Sequence, residues 1–167
     1  MAVLTSLLSG GKRAMVDLMA VANKGYYVQG SGGSTSIKRL LLPSLRFSPL
    51  LRDLYSSPTY TGSNFTDFTW WQPEPEPESG WQDGSGWVRV RDPYNVLTQA
   101  DAGGAGGGGG TVADGGAAVA AYQALQSGSL SPQQREVVQS GLLRYCELDT
   151  LAMVMIVQAW QGFLARE

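Results

Sequence analysis

The chain contains no histidine. Ser-His and Cys-His catalysis, and zinc centres built on imidazole, are therefore excluded. Cysteine occurs once, as Cys146, so neither an internal disulfide nor a cysteine cluster around a metal can form. Beside Tyr145 in a helical segment, Cys146 reads as a small packing residue rather than a nucleophile. Charge is also sparse. Charged residues are 16% of the chain and the net charge is −2, which gives no basic stripe of the kind that marks nucleic-acid surfaces. The longest uncharged apolar run, Leu151 to Val157, is far short of the roughly 20 residues of a membrane span. Lys12 and Arg13 follow a short apolar opening, the reverse of a secretory signal's order. These absences lead to the expectation of a soluble, intracellular and cytoplasmic chain without a membrane partner, organelle targeting being left open.

What is present is concentrated near the end. Residues 131–164 form the strongest helical signal: proline and glycine are confined to Pro132, Gly141 and Gly162, and Leu, Met and Ala dominate the stretch from Gly141 to Trp160. Ser131-Pro132-Gln133-Gln134 is a start signal, with Ser131 as cap, Pro132 at the first helical position and Gln134 closing a capping box. The predicted helix runs from Pro132 to about Leu164. At 167 residues there is room for one domain, and 43% hydrophobic content is compatible with a core. However, 22 glycines and 8 prolines consume much of the length in loops.

Upstream, Lys12 to Lys24 has an apolar face of Ala14, Met15, Leu18, Met19 and Ala22 and is predicted to be a helix ended by Gly25. A turn at Gly30–Ser34 leads into a short helix from Thr35 to Leu42, stopped by Pro43. Lys38 and Arg39 on it form either a solvated face or a phosphate-facing pair. Residues 64–71 and 86–91 are the strand candidates, joined by a Pro/Glu/Gly-rich loop insertion over 72–86. Four of the five tryptophans fall between 70 and 87, and packing of the strand pair is favoured over base stacking. A second, Gly-rich insertion at 99–112 lacks the ending of a phosphate-binding loop. Asp114 then caps a helix containing Ala117, Ala118, Val119, Tyr122 and Leu125, and is the second acidic candidate for a metal.

Tyr145 and Asp149 lie four residues apart on the long helix, so both project from one face. Two readings stand. One is a buried tyrosine whose hydroxyl finds an acceptor, with Asp149 at the edge of the apolar face. The other is the last motif of 3′–5′ exonucleases of the ribonuclease-H-like fold, in which Asp binds a divalent metal and Tyr orients the attacking water. Ser36-Ile37-Lys38 with Leu42-Pro43, Tyr55-Ser-Ser-Pro-Thr-Tyr60, Asp92-Pro93-Tyr94 with Leu97, Asp114-Gly-Gly-Ala-Ala118 with Tyr122, and Tyr145-Cys-Glu-Leu-Asp-Thr-Leu-Ala-Met-Val154 occur in that order. In these pieces the chain resembles the family known as domain of unknown function 2779, itself similar to those exonucleases.

The resemblance implies an α/β, α-rich architecture, the C-terminal portion of a ribonuclease-H-like fold with the early sheet strands missing. It implies Tyr145 as the catalytic residue, Asp149 as a metal ligand, and Mg²⁺ or Mn²⁺ as the cofactor. Such sites need several carboxylates, two of them from an Asp-x-Glu strand. No Asp-x-Glu occurs here, and Asp17 is the only acid in the first fifty residues. The expectation is a partial, nuclease-like domain that does not hold metal tightly and is inactive alone. Nucleic acid, and a partner or N-terminal segment supplying the missing ligands, are its expected partners. The alternative is a non-catalytic scaffold or protein-interaction remnant.

Overall fold

The computed structural model describes residues 11, 14–58, 60–74, 88–95, 97, 112 and 114–165. Five helices organise them: α1 (Leu18–Gly25), α2 (Ile37–Phe47), α3 (Pro49–Tyr55), α4 (Gly115–Ser127) and α5 (Pro132–Leu164). The fold is α-rich.

α5 begins as its sequence dictates. The Ser131 hydroxyl accepts from the Gln134 backbone N–H (3.3 Å), and the Gln134 side chain accepts from Ser131 N–H (2.9 Å). Two N–H groups that the helix cannot pair internally are thus satisfied. Along its length α5 buries Val138, Tyr145, Leu148, Leu151, Ala152, Met155, Ile156 and Ala159, a stripe at three- and four-residue spacing. α2, α3 and α4 all pack on α5, α2 most broadly. Leu41, Leu45 and Leu51 join Leu148 and Met155 as fully buried side chains of one core. A smaller cluster of Ala22, Val28, Leu40 and Ile156 attaches α1, edged by the ring contact of Tyr26 with Trp160 (5.2 Å).

Three expected elements are corrected. α1 starts at Leu18 rather than Lys12, because the Asp17 carboxylate accepts from Met19 and Ala20 N–H (2.9 and 3.2 Å) and caps the helix there. Of its predicted apolar face only Ala22 is buried. Gly25 is its last residue, and Tyr26 is the cap. Next, α2 runs through Pro43 to Phe47 instead of stopping at Leu42. An internal proline costs about 3 kcal/mol. Burying Leu41 and Leu45 completely, at about 1.5–3 kcal/mol each, offsets that. Finally, residues 64–71 form no strand. Aromatics at 65 and 68 would face opposite sides of a strand. Here Phe65, Phe68 and Trp70 meet one another at centroid distances of 4.5–5.9 Å. Asp67, with φ of 53°, bends the chain between them. Among the described residues the β-pairing consists of the single antiparallel bridge Pro73↔Val90, flanked by Glu74 N–H to Arg89 C=O (2.8 Å) and Arg91 N–H to Gln72 C=O (2.9 Å).

The remaining expectations divide. The Gly30–Ser34 turn is present, with Gly30, Gly32 and Gly33 all at positive φ. Packing accounts for Trp70, which is buried, and for Trp71, whose indole donates to the Leu45 carbonyl (3.0 Å). Cys146 is exposed, so it is not the packing residue expected. Most of the 72–86 insertion, the 99–111 part of the Gly-rich insertion, Trp81 and Trp87 lie outside the described residues. Among the described residues, no helix is long and apolar enough to cross a membrane.

The irregular segment 60–65 is fastened to α5 by Glu147. Its carboxylate accepts from Asn64 N–H (2.9 Å), the Asn64 side-chain amide and the Tyr60 hydroxyl (3.3 Å). Gly62 lies so close that a Cβ there would overlap the carboxylate. Core and surface positions of α5 should therefore differ sharply in urea unfolding. Leu148→Ala, at a site with no solvent exposure, should lose about 2–5 kcal/mol. Leu143→Ala, at a 50% exposed site, should stay within about 0.5 kcal/mol.

Candidate functional site

Four segments distant in sequence converge around one turn of α5. Tyr145 is buried there, and Asp149, one turn later, is half-buried. Tyr94 comes from the 92–95 turn, which is fixed by the Asp92 carboxylate accepting from Tyr94 N–H (2.9 Å) and the Asp92 carbonyl from Asn95 N–H (3.0 Å). So held, Tyr94 donates its hydroxyl to Asp149 Oδ1 at 2.6 Å. Lys38, in the first turn of α2, places its ammonium 4.7 Å from the Tyr94 ring centroid and 5.1 Å from that of Tyr145. Each phenol face attracts the cation through its ring quadrupole. Asp114 supplies the fourth segment. Its carboxylate caps α4 by accepting from Ala117 N–H (2.9 Å), and neighbouring Gly115 brings the start of that helix against the Tyr145 hydroxyl.

This setting opposes ionisation of both phenols. Burial raises the Tyr94 pKa most, and the hydrogen bond to Asp149 and the charge of that carboxylate raise it further. Tyr145 is pushed up to about 12 by burial, by its hydrogen bond with Asp149 and by the Asp149 charge, with Asp114 adding to the effect. The Asp114 carboxyl is held below its ordinary value, chiefly by the backbone N–H of Ala117, with Lys38 contributing. Neutral phenols can donate to Asp149 or to a water or phosphate oxygen; phenolates could not.

Two cavities open beside the cluster. One, of about 530 Å³, has Asp149 and Asp17 in its lining, with Ile37, Leu40, Ile156 and Trp160 making it largely apolar. The Trp160 indole N–H is buried with no acceptor among the described residues. The other, of about 550 Å³, shares Lys38 with the cluster and extends along α2 past Arg39 and Arg46.

A two-metal centre needs several anionic oxygens converging on each cation. Here one carboxylate, Asp149, is central, and one of its oxygens already accepts from Tyr94. The Lys38 ammonium lies over the neighbouring Tyr145 ring, and the nearby Asp114 carboxylate is taken up in capping α4. No group of three His, Cys, Asp or Glu side chains able to hold a metal occurs among the described residues. The described residues do not by themselves assemble a two-metal site.

Of the residues singled out from sequence, the structure brings Tyr145, Asp149 and Lys38 together and sets Asp114 beside them. Cys146 is exposed, and Arg39 lines the second cavity. Sequence reasoning noted Asp92-Pro93-Tyr94 only as a matching piece and missed Tyr94 as the partner of Asp149. The available signal was a polar-tipped aromatic fixed by an Asp turn. Comparison of the chain with family models, curated proteins and solved structures returns no match.

The two phenols of the cluster, raised like Tyr55 and Tyr60 elsewhere, give a stability dependence with a definite sign. Folding holds Tyr145 protonated, so the stability it lends is fully present below the unfolded value near 10. It is lost as pH rises through about 12. Unfolding free energy should fall across pH 10–12, and Tyr145→Phe should flatten that fall. In ultraviolet titration of the seven tyrosines, Tyr94→Phe and Tyr145→Phe should each remove one late-ionising phenol.

Proposed function

We propose that this chain carries the Tyr-x-x-x-Asp portion of a nuclease-like site of the ribonuclease-H-like 3′–5′ exonuclease class, and that its 167 residues alone do not hydrolyse nucleic acid. The observation that carries the reading is the convergence of Lys38, Tyr94, Tyr145 and Asp149, with Asp114 beside them. Each belongs to one of the segments in which the sequence resembles the family known as domain of unknown function 2779. In this reading Asp149 offers one carboxylate for Mg²⁺ or Mn²⁺, and the neutral Tyr145 hydroxyl orients a water. The remaining ligands would come from outside these residues, since no Asp-x-Glu is present. Tyr94 and Lys38 hold Asp149 and Tyr145 in register, one by donating to the carboxylate and the other by seating both rings.

A second reading, a non-catalytic scaffold, is favoured by the same network in one respect. Carboxylate, phenols and ammonium already satisfy one another, as a structural polar cluster does. The two readings separate on whether Asp149 has chemistry to do.

The purified 167-residue chain should show no Mg²⁺- or Mn²⁺-dependent degradation of end-labelled single-stranded DNA or RNA at millimolar metal. Asp149→Asn retains an acceptor for Tyr94 and should cost no more than about 1 kcal/mol in urea unfolding. Supplied with an Asp-x-Glu-bearing segment in the same polypeptide, the chain should hydrolyse single strands. There Asp149→Asn should abolish the activity and Tyr145→Phe should reduce it. Robust hydrolysis by the 167-residue chain, lost on Asp149→Asn, would overturn the incomplete-site reading. An extended chain whose activity is indifferent to Asp149 would leave the scaffold.

A further inference from the structure

The second cavity runs against the charge of the whole molecule. The chain carries a net charge of −2, yet among the described residues the lining of this cavity includes Lys38, Arg39, Arg46 and Arg89 with the acids Glu74 and Asp92. Helical spacing explains part of this. Lys38, Leu42 and Arg46 fall four residues apart and form one stripe of α2, with Arg39 and Pro43 on the adjoining stripe. Arg89 arrives from the other side, positioned by the Pro73↔Val90 bridge. Three of these cations share α2, and Arg89 joins them only through the fold.

Glu74 pairs with Arg89 (3.1 Å), so those two charges offset each other, and Asp92 keeps its charge while accepting from Tyr94 N–H; Lys38, Arg39 and Arg46 leave the described wall net positive. Positive side chains gathered in a concave, partly apolar wall concentrate the field there more than the same charges would on a flat surface. At about 550 Å³ the cavity is within the roughly 300–1,000 Å³ typical of small-ligand sites. Phe47 provides an aromatic face in the lining, with the Arg46 guanidinium 5.3 Å from its ring centroid. Cations that track phosphates, combined with an aromatic on which a base can stack, are the means by which single strands are bound without sequence preference. Lys38 belongs both to this wall and to the Tyr94–Tyr145 pair, so the cavity adjoins the cluster, while Asp149 lines the other cavity.

We propose that this cavity binds consecutive phosphates of a single-stranded nucleic acid, with Arg39 and Arg89 as phosphate contacts and Phe47 as a stacking face, and so delivers the strand towards Tyr145 and Asp149. The choice of a strand rests on the nuclease-like reading above. The binding itself requires neither metal nor hydrolysis.

The test is fluorescence anisotropy of a labelled twelve-nucleotide oligothymidylate, and of its RNA counterpart, with the whole 167-residue chain in EDTA. The oligonucleotide should bind at low salt. Arg39→Gln combined with Arg89→Gln should weaken binding at least tenfold, and the slope of log affinity against log salt should shrink by about 0.7 for each contact removed. Arg52→Gln, an exposed arginine outside the cavity, should change affinity less than twofold. Thermal melting checks that the variants fold; if Arg89→Gln lowers the melting temperature, exposed Arg39 alone decides, with a weakening of at least threefold expected. No binding at low salt, equal weakening by Arg52→Gln, or displacement of the oligonucleotide by an equal concentration of ATP would overturn the proposal. Because no metal is present, failure of the hydrolysis prediction does not affect this result. Loss of strand binding likewise leaves the Asp149 assay standing.

Discussion

Leu148, Ala152, Met155 and Ala159 of α5 have no solvent exposure at all, and the burial of this stripe is what the other elements share. α2 packs on it through Leu41 and Leu45, α3 through Leu51, and the aromatic bend of 65–70 closes over the same core. Two alanines in the stripe leave room for neighbours to approach closely, and Gly162 does the same for Leu50 of α3. A two-layer sheet sandwich distributes its core across many strands. Here, among the described residues, a 33-residue helix is the surface that the other packed helices share.

The same arrangement determines what the site can be. With little sheet among the described residues, no row of strand ends is available to present several carboxylates together. The acidic side chains near Tyr145 come instead from a helix cap, Asp114, a turn, Asp92, and the long helix itself, Asp149. Each of the first two is occupied by backbone N–H groups. Asp149 alone faces side chains, and the positive charge nearest its two phenols is covalently attached, as Lys38. At the two phenols the acidic charges of Asp149, Asp114 and Asp92 prevail, and both hydroxyls are held protonated.

Legibility in the sequence divides along physical lines. Local devices were legible: the Ser131–Gln134 box, the Asp114 cap and the glycine turn at 30–33 are each decided within a few residues. Pro43 was misread because its cost is local, whereas the burial of Leu41 and Leu45 that outweighs it is supplied by α5. Residues 64–71 have strand-forming composition, but aromatic contacts at odd spacing required a bend. Of the site, the Tyr145–Asp149 pair was visible because helical spacing fixes it. Lys38 and Tyr94 join it only through tertiary packing; Lys38, Arg39 and Arg46 share one short window of sequence, but Arg89 reaches the same wall only through the fold.

Between Tyr145 and Asp149, α5 serves four different clients in five residues. Tyr145 takes the Lys38 ammonium, Glu147 holds the 60–65 segment, Leu148 enters the core and Asp149 receives Tyr94. Each residue added to a helix rotates all later side chains by about 100°. One inserted or deleted residue anywhere between Val138 and Tyr145 would therefore misdirect all four at once, or else detach the first two turns of the stripe. The outward-facing positions of the same helix, such as Leu143 and Met153, accept change freely by comparison. The segment is tolerant of spelling but not of length, so drift in this protein should accumulate there as replacements and never as gaps.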